Sequence, residues 1–91
     1  MSYEWDEQKH LANVKKYGID FIDLPEVLDG DVVIIPDERF DYGETRFILI
    51  GILKSQVVVV AYTERGENIR IISARKATKN EQIFSFRQIS N

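Results

Sequence analysis

The stretch RFILIGILKSQVVVVAYTERGENIRIISARK, residues 46–76, decides the fold. It holds three runs rich in Ile and Val, Arg46–Ile52, Val57–Thr63 and Ile69–Arg75, separated by Leu53–Gln56 and Glu64–Asn68. β-Branched residues suit a pleated, packed surface, and links this short join antiparallel neighbours as hairpins. A fourth run, Val32–Ile35, precedes them and is expected to end at Pro36, which has no N–H to give to a ladder. A strand with one wet face alternates apolar and polar residues. Neither Val57–Tyr62 nor Phe47–Ile52 does so. Both faces of this sheet therefore require cover, either from the chain's own helices or from another chain.

Working outward, Trp5-Asp6-Glu7 opens a first helix, with Asp6 suited to the N-cap and Glu7 to the first turn. Leu11, Ala12 and Val14 form a short apolar stripe that runs to about Tyr17, and Gly18 stops the helix. A second helix is predicted over Phe21–Leu28, with Pro25 in its first turn. Asp29-Gly30-Asp31 is a turn, and Asp37–Glu44 a polar loop. Thr78 is placed to cap a last helix, with Glu81 at the capping-box position and Ile83, Phe84 and Arg87 along it. The expected architecture is α+β: two N-terminal helices, a four-stranded antiparallel sheet and a C-terminal helix, in one domain over residues 1–91.

Composition removes several classes of function. The chain has 91 residues and no cysteine, so disulfides and thiolate metal sites are excluded. His10 is the single histidine, which leaves no His-rich metal site. Asp37, Glu38 and Asp41 lack the spacing of a calcium loop. No P-loop, nucleophile elbow or dinucleotide fingerprint is present. The charged opening MSYEWDEQKH does not read as a signal peptide, and no apolar run approaches a membrane span. A cytoplasmic protein without metal or other cofactor is expected. The net charge of −3 conceals an asymmetry: residues 1–45 carry twelve acids and four bases, residues 46–91 three acids and eight bases. Such a division suits a polyanion on one side and a basic partner on the other.

Symmetric hairpins would set Phe47, Tyr62 and Arg70 across one row of one face, with Arg46, Thr63 and Ile69 at the same end of the other. A one-residue slip would exchange the two sets. In either register, one end of the sheet gathers Arg46, Tyr62, Thr63, Glu64, Arg65 and Arg70, and the other gathers Arg75 and Lys76, leading to Lys79. Planar guanidinium forks hold phosphate oxygens and offset charge that develops during phosphoryl chemistry. The pattern fits metal-independent RNA cleavage, in which a ribose 2′-OH attacks the adjacent phosphate. Arg46, Arg70 and Arg75 are the phosphate candidates. Glu64, His10 and Tyr62 are the candidates for proton transfer, and Tyr62 is equally suited to stack on a base. Lys9, Asn13 and Lys16 share one helix face by spacing. Lys9, Lys16, Arg65, Lys76 and Lys79 are expected to bind RNA.

Three blocks of the chain resemble the BrnT family of toxins. EWDEQKHLANVKKYGIDF carries Trp5, Asp6, Lys9, Asn13, Lys16 and Gly18 at the family's spacing. DERFDYGETRFILIG carries Asp37, Arg39, Asp41, Tyr42, Gly43, Glu44 and Arg46. VVVVAYTERGENIRIISARKATKNE carries Tyr62, Thr63, Glu64, Arg65, Arg70, Ser73, Ala74, Arg75 and Glu81. The resemblance implies a RelE-like fold and ribonuclease activity that inhibits translation. It also implies a BrnA-type antitoxin partner, through which alone the complex would reach DNA to repress its operon. The chain departs from the family pattern at Tyr17, where a His is common, and at Phe84 and Phe86, where members often carry a Tyr. Those departures support an alternative: an inactive module that binds antitoxin and acts only in co-repression. A structural protein whose apolar sheet merely forms a homodimer is a further one.

Overall fold

Among the described residues five strands, not four, form the sheet, and it is mixed. The computed structural model describes residues 2–90. Its elements run β1 (Tyr3–Trp5), α1 (Glu7–Tyr17), a 3-10 turn (Phe21–Asp23), α2 (Leu24–Leu28), β2 (Val33–Asp37), β3 (Arg46–Leu53), β4 (Gln56–Arg65), β5 (Asn68–Lys76) and α3 (Lys79–Ser90). The spatial order is β1-β5-β4-β3-β2. β2 to β5 form the expected antiparallel meander, and β1 adds to β5 in parallel, Tyr3 opposite Ile69 and Trp5 opposite Ile71. The expectation of four antiparallel strands fails at β1. Three residues are too few to show a period, and a partner so distant in sequence leaves no local signal. β2 also continues through Pro36 to Asp37. It is the edge strand, so the missing N–H of Pro36 breaks nothing essential.

Local chemistry accounts for the helices. The Asp6 carboxylate accepts the N–H groups of Gln8 and Lys9, and Gly18, at φ 68°, closes α1 by donating to the Val14 carbonyl. The second predicted helix divides in two, because Asp20 caps a separate 3-10 turn by accepting the Ile22 N–H. α2 then starts afresh at Leu24 with Pro25 in its first turn.

These segments cover one face of the sheet. Ile19, Phe21, Leu24 and Val27 pack on Leu49, Val58, Val60, Ile71 and Ala74, all nearly solvent-free. At Gly51 the backbone approaches α2 so closely that a Cβ would sit 2.5 Å from Val27 Cγ1. Asn13 sews α1 to the sheet: its Nδ2 donates to the Ile19 carbonyl, and its Oδ1 accepts the Ala74 N–H, each at 3.1 Å.

The opposite face carries Ile35, Ile48, Ile50 and Val59, and α3 lies over its β2–β3 side. The chain thus covers both faces with its own helices, although Ile83, Phe84, Phe86 and Ile89 of α3 remain exposed. Thr78 and Glu81 form the expected capping box, each binding the other's backbone N–H.

The register of β5 departs from a simple hairpin. Ala61 faces Ser73 while the next residue, Tyr62, faces Ile71, so Ile72 is an extra residue in a bulge. Phe47 pairs with Tyr62 as expected, and their rings stack at 5.3 Å. Arg70 instead faces Thr63, and the predicted Phe47–Tyr62–Arg70 row is corrected to Phe47–Tyr62–Ile71. Arg70 and Arg75 are five positions apart, which in a regular strand puts them on opposite faces. The bulge brings both to the α3 face.

Candidate nucleic-acid interface

One row crosses all five strands on the α3 face: Glu4, Arg70, Thr63, Arg46 and Asp37. Two guanidiniums flank a threonine, and a carboxylate closes each end. Arg46 and Arg70 stand two strand spacings apart, roughly 10 Å at the backbone. Thr63 is buried, and its hydroxyl donates to the Thr45 carbonyl at 2.6 Å, tying down the loop before β3.

Residues 38–45 fold over this end of the sheet. Asp37 accepts two bonds from the Arg39 guanidinium, at 2.8 and 2.9 Å, and one from the Tyr42 hydroxyl at 3.0 Å. The Arg39 bonds are the largest cause holding the Asp37 carboxyl far below the usual carboxylate range. The Arg46 guanidinium carbon sits 4.1 Å from the centre of the Tyr42 ring. Arg46 also donates to Glu44 at 3.0 Å, and Arg65 reaches the same carboxylate at 3.6 Å. That pairing, chiefly the Arg46 bond, depresses the Glu44 pKa. The segment expected as a polar loop is therefore an organised lid of ion pairs.

At the other end Arg75 faces Val59 and is gripped by Glu81 of α3. A concavity of about 240 Å³ lies between the lid and α3, lined by Asp37, Arg39, Ile48, Arg75 and Glu81 among others. The small residues Ala61 and Ser73 pair between Thr63 and Arg75, so the middle of this face is low and open. A second concavity, about 290 Å³, lies between α1 and β5 and is lined by Lys9, Ala12, Asn13, Lys16, Tyr17, Ile72 and Ser73.

The remaining candidates are dispersed. His10 is buried and stacked on Phe21, with Nε2 2.6 Å from Asp20 and Nδ1 3.0 Å from Glu7. The Asp20 bond chiefly raises its pKa. Its geometry is that of a clamp holding α1 to the 3-10 turn, and both nitrogens are engaged. Tyr62 lies buried on the opposite, core face, where burial pushes its phenol up. Glu64 faces Ile69, also on that side. Lys76 and Lys79 are exposed at the far end of β5 and the start of α3. Sequence reading missed Glu4 and Ser73 as site residues. Glu81 is expected from the sequence as the capping-box residue and within the block that resembles the family, but not as the partner of Arg75, because a spacing of six gives no cue when a strand end and a loop lie between.

Part of the charge asymmetry is consumed inside the molecule: Glu4 pairs with Arg70, Glu44 with Arg46 and Arg65, and Asp23 with Lys54.

A family model described as "Ribonuclease toxin, BrnT, of type II toxin-antitoxin system" matches residues 5–81. The chain belongs to the BrnT family. The matched span runs from Trp5 at the end of β1 to Glu81 in α3, so it contains the lid, β2 to β5 and the Arg75–Glu81 pair. BrnT membership makes the chain a toxin of a type II toxin–antitoxin system, with an antitoxin as its partner. Comparison with curated proteins finds no matching relative. No helix among the described residues is long and apolar enough to cross a membrane.

Proposed function

We propose that this BrnT-family chain is an endoribonuclease that cleaves RNA without a metal, inhibits translation in the cytoplasm and is neutralised by a BrnA-type antitoxin. Contact with DNA would come only through that antitoxin. The observation that carries the reading is the β5 bulge, which sets Arg70, Ser73 and Arg75 on one open face with Arg46 and Thr63. A scissile phosphate seated near Ser73 would have a guanidinium on either side, where each can offset charge gained in the transition state. Arg65, Lys76 and Lys79 would hold flanking phosphates.

The reaction also needs an acceptor for the 2′-OH proton. His10 has both nitrogens occupied, and Tyr62 and Glu64 lie on the core side. Glu81 is the better candidate. A phosphate that takes the Arg75 fork releases the Glu81 carboxylate beside the substrate, and the loss of its cation raises its basicity.

One observation favours the alternative of an inactive antitoxin-binding module: Arg39, Arg46, Arg70 and Arg75 each already have a carboxylate within 3.0 Å. Expression in cells without antitoxin decides between the two readings. Growth arrest with fragmentation of labelled RNA is expected. Well-folded protein that leaves growth and RNA intact would overturn the nuclease reading in favour of the module.

A further inference from the structure

We infer that the groove between α1 and β5 is a second nucleic-acid subsite, in which Lys9 and Lys16 hold phosphates of single-stranded RNA and Tyr17 stacks on a base. The inference rests on the ribonuclease reading and extends the substrate path beyond the arginine face.

Three observations support it. First, the groove carries unspent charge. The arginines of the sheet face are matched by carboxylates, whereas Lys9, Lys15 and Lys16 have none within 4.0 Å among the described residues. Lys9 and Lys16 are two turns apart on one helix face, roughly 10 Å along the axis, so each can take a separate phosphate.

Second, the groove is built for a base as well as a backbone. It is lined by Ala12, Ile72, Ser73 and the half-buried Tyr17. The Lys16 ammonium sits 5.2 Å from the Tyr17 ring centre. A long aliphatic side chain in that position can swing to a phosphate and yield the ring to a base. Aromatic platforms beside cations are the usual means of binding single strands without sequence readout.

Third, the groove joins the proposed cleavage site. Ser73 lines it and also faces Ala61 on the arginine face. A strand leaving the arginine face over the part of β5 beyond Ile71, which β1 does not cover, would therefore run along α1.

The test is fluorescence anisotropy with a short labelled 2′-O-methyl oligoribonucleotide, whose blocked 2′ oxygen allows binding without cleavage. The paired variant Lys9→Gln, Lys16→Gln is expected to bind more weakly, with a log–log salt slope shallower by about 1.4, as two lost single-strand phosphate contacts require. Tyr17→Leu keeps apolar bulk but no ring, and is expected to lose roughly 5- to 150-fold in affinity. Tyr17→Phe should bind like wild type. If wild type binds and cleaves RNA but both the lysine pair and Tyr17→Leu match it, the groove inference falls and the ribonuclease reading stands. If wild type binds no RNA, both fall. If a polyglutamate peptide binds as tightly as the RNA and Tyr17→Leu costs nothing, the groove is a seat for acidic polypeptide and the inference is overturned.

Discussion

Glu81 grips Arg75 with both carboxylate oxygens, at 2.7 and 2.8 Å, and its Oε1 also accepts the Thr78 N–H at 2.8 Å. One side chain thereby caps α3, fastens that helix to β5 and neutralises a guanidinium on the proposed cleavage face. The Arg75 bonds are the main reason its pKa falls to about 2. A depressed carboxylate contributes stability above its unfolded value of 4.5 and loses it as acid reaches the folded value. α3 should therefore detach between those two pH values, readable as rising hydrogen exchange in its amides.

The same pair separates binding from chemistry. Glu81→Gln preserves the capping box, frees Arg75 for phosphate and removes the proton acceptor. RNA affinity should rise while single-turnover cleavage falls by about 10²–10⁴-fold. Unchanged cleavage would assign Glu81 to structure alone.

His10 predicts the opposite pH behaviour. Its folded pKa is raised, chiefly by Asp20, above the unfolded 6.5. The clamp therefore contributes fully below that value and is lost as pH climbs through the folded one. Wild type should lose melting temperature on the alkaline side while His10→Gln stays flat. Trp5, whose ring lies 5.4 Å from His10 and is the only tryptophan, should report the loosening by fluorescence. Parallel melting curves for the two proteins would refute the clamp.

Asn13 is the internal strut between α1 and β5. Asn13→Leu leaves the Ala74 N–H and the Ile19 carbonyl without partners, at a cost of about 2–4 kcal/mol. A lowered urea midpoint with unchanged slope is the expected signature.

The β3–β4 turn offers a gain instead. Lys54 and Ser55 both hold positive φ, 49° and 69°, in a two-residue hairpin that favours Asn-Gly. Ser55→Gly removes a side chain from a left-handed backbone and should add about 0.5–1 kcal/mol in urea unfolding.

Much of the scaffold is readable from residues alone because its signals are local. The Ile- and Val-rich runs locate β3 to β5, Asp6 and Gly18 bound α1, and Thr78 with Glu81 marks the start of α3. Phe47 opposite Tyr62 follows from the short hairpin link. The candidate site is less legible because it is assembled over distance. Arg70 and Arg75 share the α3 face only because of a bulge at Ile72, which no turn signal announces. His10 looks available for catalysis until Asp20, ten residues on, folds back to hold its Nε2. The Asp37, Arg39 and Tyr42 network needs the lid's backbone path before its members meet.

The parallel pairing of β1 with β5 also bears on how the protein is made. Glu4 precedes its partner Arg70 by 66 residues. Contacts this distant are entropically slow to form. A nascent chain must be extended past Ile71 before β1 has anywhere to add, and past Glu81 before α3 can fasten to Arg75. The proposed cleavage face is thus assembled only after the whole stretch from Glu4 to Glu81 has been made, and a chain cut short within it lacks the site.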